Sequence, residues 1–174
     1  MEKTRRLLRI LAVLLYILSL LLLIRFVFLK HAFYVIRNHF NLYYSFDTIL
    51  DGIKNANLLP FKSIMAVFSN SNAYEFPINN NLGNIAGFIP QGFLLAFIYP
   101  GFRKFWQNTK AVLITSFIFE LLQLITGLGI FDIDDLLLNI TGGIIGWLIF
   151  NRISKYLQKF SLIQTDNFNQ SSNQ

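Results

Sequence analysis

The sequence contains no cysteine. Disulfide scaffolds and thiolate metal sites are therefore excluded. Charge is also scarce, at 14% of 174 residues, where soluble domains carry about a quarter. Histidine occurs only at His31 and His39, without the helical spacing of a metal-ligand pair, and no serine can be matched to a histidine partner as a nucleophile. No glycine-rich phosphate loop and no internal repeat is present. The net charge of +6 does not argue for nucleic acid, because the basic residues sit in short groups beside apolar runs and form no phosphate-tracking face.

What is abundant is apolar: 54% of residues, including nineteen Phe. Four long apolar runs each approach the 20 or so residues needed to cross a bilayer. They give expected helices over 7–29, 82–100, 105–128 and 133–151. The first run is longer than the apolar core of a signal peptide and lacks a small-x-small cleavage site after it, so it reads as a retained helix. The expectation is an all-α, polytopic membrane domain over 1–160, with four transmembrane helices and an interfacial external loop between the first and second. In that loop, His31–Phe46 reads as lying along the headgroups or extending the first helix. Leu58-Leu59-Pro60-Phe61 with Ile64–Phe68 reads as a second interfacial segment, and Ser69–Asn81 as a polar linker. The Asn- and Gln-rich stretch 161–174 reads as a disordered cytoplasmic tail.

Basic residues set the orientation. Lys3, Arg5, Arg6 and Arg9 precede the first helix; Arg103, Lys104 and Lys110 lie between the second and third; Arg152, Lys155 and Lys159 follow the fourth. The turn between the third and fourth has only Asp132, Asp134 and Asp135. Both termini are thereby assigned to the cytoplasm. Lys30, Arg37, Lys54 and Lys62 fall in the long external loop, which counts less in this rule.

Polar residues inside such helices are costly and mark candidate sites. Glu120 and Gln123 share one face of the third helix. Asp132, Asp135 and Asn139 form a stripe at the start of the fourth, and Asn84, Gly87 and Gln91 one on the second. Helix direction places all three stripes at the external level, where Asn84, Glu120, Gln123, Asp132, Asp135 and Asn139 would line a cavity. Glu120 and Asp135 are the catalytic candidates, and Asn84, Gln123, Asp132 and Asn139 the ligand-binding ones. The competing reading is interhelical glue, and Asp134 reads as a solvated turn residue. No cofactor is assigned; oxygen ligands for a divalent cation are only a weak signal. Structural roles fall to Pro90, which should break or kink its helix, and to two small-residue faces: Gly83 with Gly87, and Gly142 with Gly143 and Gly146. Trp106 and Trp147 read as interface anchors or packing.

Three motifs in order carry a family resemblance. Asn84-Ile85-Ala86-Gly87-Phe88-Ile89-Pro90-Gln91-Gly92-Phe93 resembles the first motif of the VanZ-like family. Glu120-x-x-Gln123, Phe131-Asp132-Ile133-Asp134-Asp135 and Asn139-x-x-Gly142-x-x-x-Gly146 resemble its second. Asn57-Leu58-Leu59-Pro60-Phe61-Lys62-Ser63-Ile64 is similar to the segment ahead of them. The resemblance implies a bacterial cytoplasmic-membrane protein of the cell envelope, related to one associated with teicoplanin resistance. Its partners would be membrane lipid and a lipid-linked or glycan ligand. The rival readings are a cation-dependent membrane enzyme using Glu120 and Asp135, and a non-catalytic accessory subunit. Many members carry an arginine before the acidic motif, where this chain has Leu128-Gly129-Ile130. The resemblance then implies that Arg25, Lys62 or a bound cation substitutes for it.

Overall fold

The computed structural model describes residues 2–28, 40, 44–69 and 76–171. Most of the stretch expected to lie along the headgroups, residues 31–46, falls outside them. Six α-helices follow in order: α1 (Glu2–Phe28), α2 (Phe46–Lys54), α3 (Lys62–Ser69), α4 (Phe76–Ile98), α5 (Phe105–Thr126) and α6 (Ile133–Ser171). A 3₁₀ turn, Pro100–Arg103, joins α4 to α5. Among the described residues there is no strand, only a parallel bridge between Asn57 and Asp132. The four long helices α1, α4, α5 and α6 are each long and apolar enough to cross a membrane.

The expected bundle is therefore present, with three corrections. First, α4 begins at Phe76, inside the segment read as a linker, because Pro77 falls in the first turn, where its missing N–H is not needed. Second, Pro90 does not break α4, which runs through it unbroken. Proline removes one rung, its own bond to the Ala86 carbonyl, from a helix held on both sides by α1 and α6. Third, α6 continues as helix to Ser171, past the end expected at 151 and into the segment expected to be disordered. Extending a formed helix needs no new nucleus. Residues 172–174 lie outside the described part.

The helices pack antiparallel along the chain. At the centre, α4 and α6 meet with their backbones nearly touching: a methyl added at Gly142 would lie 2.1 Å from the Ile85 carbonyl oxygen, one at Gly146 2.0 Å from that of Ile89, and one at Gly92 1.9 Å from that of Gly143. Only glycine allows this approach. The face expected on the second helix at Gly83 and Gly87 serves another partner, since Gly87 lies against Leu23 of α1. Phe88 and Phe119 stack edge-on in the core, with Leu95 and Val112 beside them.

Helix α1 packs mainly on α4, through Gly87 and through Gln91, whose Nε2 donates to Ser19 Oγ at 2.9 Å, and it reaches α5 through a hydrogen bond between Tyr16 and Thr115. The opposite face of α1 is bare, with Leu7, Leu14, Leu18 and Leu22 all exposed. A helix apolar all round and uncovered by protein is one covered by lipid. Helix α5 ends at Gly127, which takes the left-handed conformation (φ 65°) that glycine adopts without a steric penalty.

Candidate functional site

The end of the bundle where α5 turns into α6 gathers four carboxylates: Glu120, Asp132, Asp134 and Asp135. Helix α5 presents Asn108, Val112, Ser116 and Glu120 on one buried face. Their i, i+4 spacing follows directly from helix geometry. That face meets α6: Val112 lies under Gly143, and Asn139 Nδ2 donates to Ser116 Oγ at 2.9 Å. One turn further out, Glu120 is 3% exposed, and its Oε2 accepts the backbone N–H of Asp132 at 3.0 Å.

Asp132 is the N-cap of α6. Its Oδ1 accepts the N–H of Asp134 at 2.8 Å, the usual bond from an N-cap side chain to the second helical residue. The same carboxylate holds the loop between α1 and α4. Asn57 Nδ2 donates to Oδ1 at 2.8 Å, and Ser63 Oγ to Oδ2 at 2.5 Å. The backbone of Asn57 closes the junction, its N–H on the Phe131 carbonyl and its own carbonyl taking the N–H of Ile133.

Asp134 departs most from expectation. Read as a solvated turn residue, it is fully buried. Its oxygens accept the N–H groups of Phe61 (2.5 Å), Ser63 (2.7 Å) and Ile64 (3.2 Å). These are free donors at the N-terminus of α3, which has no capping side chain of its own sequence in place. Asp134 caps that helix from 70 residues away. Phe61, just before it, sits at φ 68°, a left-handed conformation costly for a residue with a β-carbon. The turn that aims three N–H groups at Asp134 depends on it.

Asp135 points to α4, where Asn84 Nδ2 donates to its Oδ1 at 2.6 Å. Gln123 lies under the turn itself, with Gly129 so close that an added methyl would come within 3.0 Å of its Nε2. Glu120, Asp132, Asp135, Asn84 and Asn139 are thus brought to one end as expected. Gln91 is not: although one turn pair along from Asn84, it turns to α1. Pro90 and Gly87 also face α1. Asn57, Ser63 and Ser116 complete the network and were not singled out. Asn57 and Ser63 lie in the third motif-like segment, which was the one available signal for them.

The electrostatics explain how Asp132 and Asp134 are tolerated. Among the described residues no Lys or Arg side chain stands within ion-pair distance of Asp132 or Asp134, and Lys54 pairs with Asp51 on the exposed face of α2. The expectation that Lys62 or Arg25 neutralises the acidic motif is therefore not met for these two. Their donors are neutral amides and a hydroxyl, backed by the positive ends of α3 and α6, which converge here. Among the described residues no group of three His, Asp or Glu side chains is arranged to hold a metal ion.

Four membrane-spanning helices, bound through a glycine seam and closed at one end by a carboxylate network, define a polytopic integral membrane protein. The family pattern for VanZ/LLP1 matches residues 13–155, most of the chain. The chain belongs to the VanZ/LLP1 family. Comparison with curated proteins gives no match, nor does comparison with solved structures.

Proposed function

We propose that this chain is a cell-envelope protein of the bacterial cytoplasmic membrane with both termini inside, and that its carboxylate end binds the polar part of a lipid-linked or glycan ligand at the outer leaflet. The observation that carries the reading is Glu120, a carboxylate 3% exposed within a membrane-spanning helix. Capping accounts for Asp132 and Asp134: α6 and α3 each need an acceptor at their N-terminus and each has one. Glu120 and Asp135 cap neither helix, and an ionisable residue in a spanning helix marks a candidate functional site. Carboxylate oxygens accept hydrogen bonds, so the matching ligand presents donors, as sugar hydroxyls or an amine do. Asn84 and Asn139 would orient it, and Asp132 and Gln123 would hold the frame. The amide Oδ1 of Asn139 is buried and accepts no hydrogen bond, which supports its place in the set. Teicoplanin carries a lipid tail that enters the outer leaflet, which supports a link to tolerance of that drug.

The test is Glu120→Gln with Asp135→Asn. The amides keep shape and hydrogen bonding while removing charge. Insertion and thermal stability should stay near wild type, because interhelical hydrogen bonds average about 0.6 kcal/mol in membranes. Complementation of a deletion strain, read as its teicoplanin tolerance relative to vancomycin and as its lipid-linked precursor profile, should fail. Full complementation by the double variant would sink the reading and favour an accessory subunit. Restoration of the wild type by added divalent cation after chelation would favour the enzyme. The orientation is tested separately. The chain has no cysteine of its own, so Asn55→Cys should react with an impermeant thiol reagent on intact cells and Gln107→Cys should not. The reverse pattern would overturn it.

A further inference from the structure

At the opposite end of the bundle, α1, α4 and α6 leave a groove of about 670 Å³ with a basic rim of Arg6, Arg9 and Arg103 over an apolar wall that includes Phe93, Phe150 and Leu157. We propose that this groove binds one anionic phospholipid of the adjacent leaflet, its phosphate on the arginines and its acyl chains along the apolar wall.

Three observations carry this. The guanidinium groups are placed. Arg9 donates through Nε and one terminal nitrogen to the Ile98 carbonyl at 3.2 and 3.1 Å. Arg103 lies over the Phe150 ring, 5.7 Å from its centroid, and its backbone carbonyl is held by Trp147 Nε1 at 3.0 Å. The charges are also uncompensated. Among the residues whose side chains are described, no carboxylate lies within ion-pair distance of Arg6, Arg9 or Arg103, which leaves these guanidinium groups available to an anionic ligand. Finally, the depth is that of headgroups. Trp106, Tyr99 and Tyr156 stand exposed around this end, as interfacial aromatic residues do, while Leu8 and Leu157, within the groove lining, are exposed as an acyl surface. A soluble anion would use the rim and leave the wall bare; a phospholipid uses both. The site lies away from Glu120 and does not depend on the function proposed above. Basic pockets between spanning helices are a known form of anionic headgroup site.

The full chain supplies its own probe, because both of its tryptophans, Trp106 and Trp147, are at this end. In phosphatidylcholine nanodiscs, phosphatidylglycerol with brominated acyl chains should quench their fluorescence more than brominated phosphatidylcholine at the same fraction. Arg6→Gln and Arg103→Gln should each lower the apparent affinity for phosphatidylglycerol by about fivefold. Arg152→Gln with Lys155→Gln, which removes two charges at the same end but outside the groove, should leave it unchanged. Circular dichroism identifies any variant that fails to fold, and the remaining single variant then carries the test. Equal quenching by the two lipids would overturn the proposal. So would an equal loss in the Arg152/Lys155 variant, which would mean general surface charge. Displacement by excess inorganic phosphate would mean a soluble anion site and would overturn it as well.

Discussion

At the α5–α6 turn, carboxylates receive backbone N–H groups from two helix starts, and the partners are far apart in sequence: Asp134 reaches Phe61 and Ser63, Asp132 reaches Asn57. At the other end, three arginines ring a groove. Of these Arg9 alone is engaged with another element's backbone, at the last carbonyl of α4. Both devices obey one electrostatic rule, since a helix offers partial positive charge at its start and partial negative charge at its finish. They differ in what remains. The acidic end satisfies its capping charges internally and is closed by protein. The basic end presents its charges around an open groove.

The comparison can be broken at the point where both ends are joined. The glycine seam between α4 and α6 runs from Gly142 near the acidic end to Gly146 toward the basic one. Gly146→Leu would drive a side chain into the Ile89 carbonyl and the Phe93 amide. These are backbone atoms that cannot rotate aside. The cost should reach about 3 kcal/mol or more, the upper range for overpacking. It should appear as a large fall in thermal midpoint in detergent, with both ends loosened together. A midpoint near wild type would show that the seam is not what joins them.

A paired substitution then sets one end against the other. Asp134→Ala leaves three N–H groups of α3 without an acceptor and should cost about 2–4 kcal/mol, as hydrogen bonds to a buried charged group do. Limited proteolysis should open the chain around residues 57–65 while the basic end stays protected. Arg9→Gln removes a cation from the finish of α4 and should cost less, about 0.3–1 kcal/mol. Thermal shifts of equal size would mean that the two ends are not built differently. A larger shift for Arg9 would reverse their order.

The spans were legible because the bilayer imposes a length and a composition that a linear chain must declare. The glycines of α6 and the acid at Glu120 were legible for related reasons: a small-residue face and an intramembrane charge are both visible in one helix alone. The role of Asp134 was not. Its spacing on α6 says only that it points away from Asp135, and nothing local says that the N-terminus of α3 comes to meet it. The stripe through Asn84 and Gln91 failed in the same way. A shared helical face gives a direction, but α6 stands opposite Asn84 and α1 opposite Gln91. Pro90 was expected to break or kink its helix, and the helix is unbroken because α1 and α6 hold it on both sides.

Sequence alone determined that four helices span the membrane, that basic residues gather at one end and acidic ones at the other, and which polar residues lie at which depth. Each follows from the free energy of placing a side chain in hydrocarbon or in water, a property of the residue and its neighbours along one helix. Tertiary structure decided the pairings. It determined which glycine faces which carbonyl, which carboxylate caps which helix and which arginines line the groove at the basic end. Those depend on hydrogen bonds and close contacts between segments up to about 90 residues apart, whose energies exist only once the helices have met.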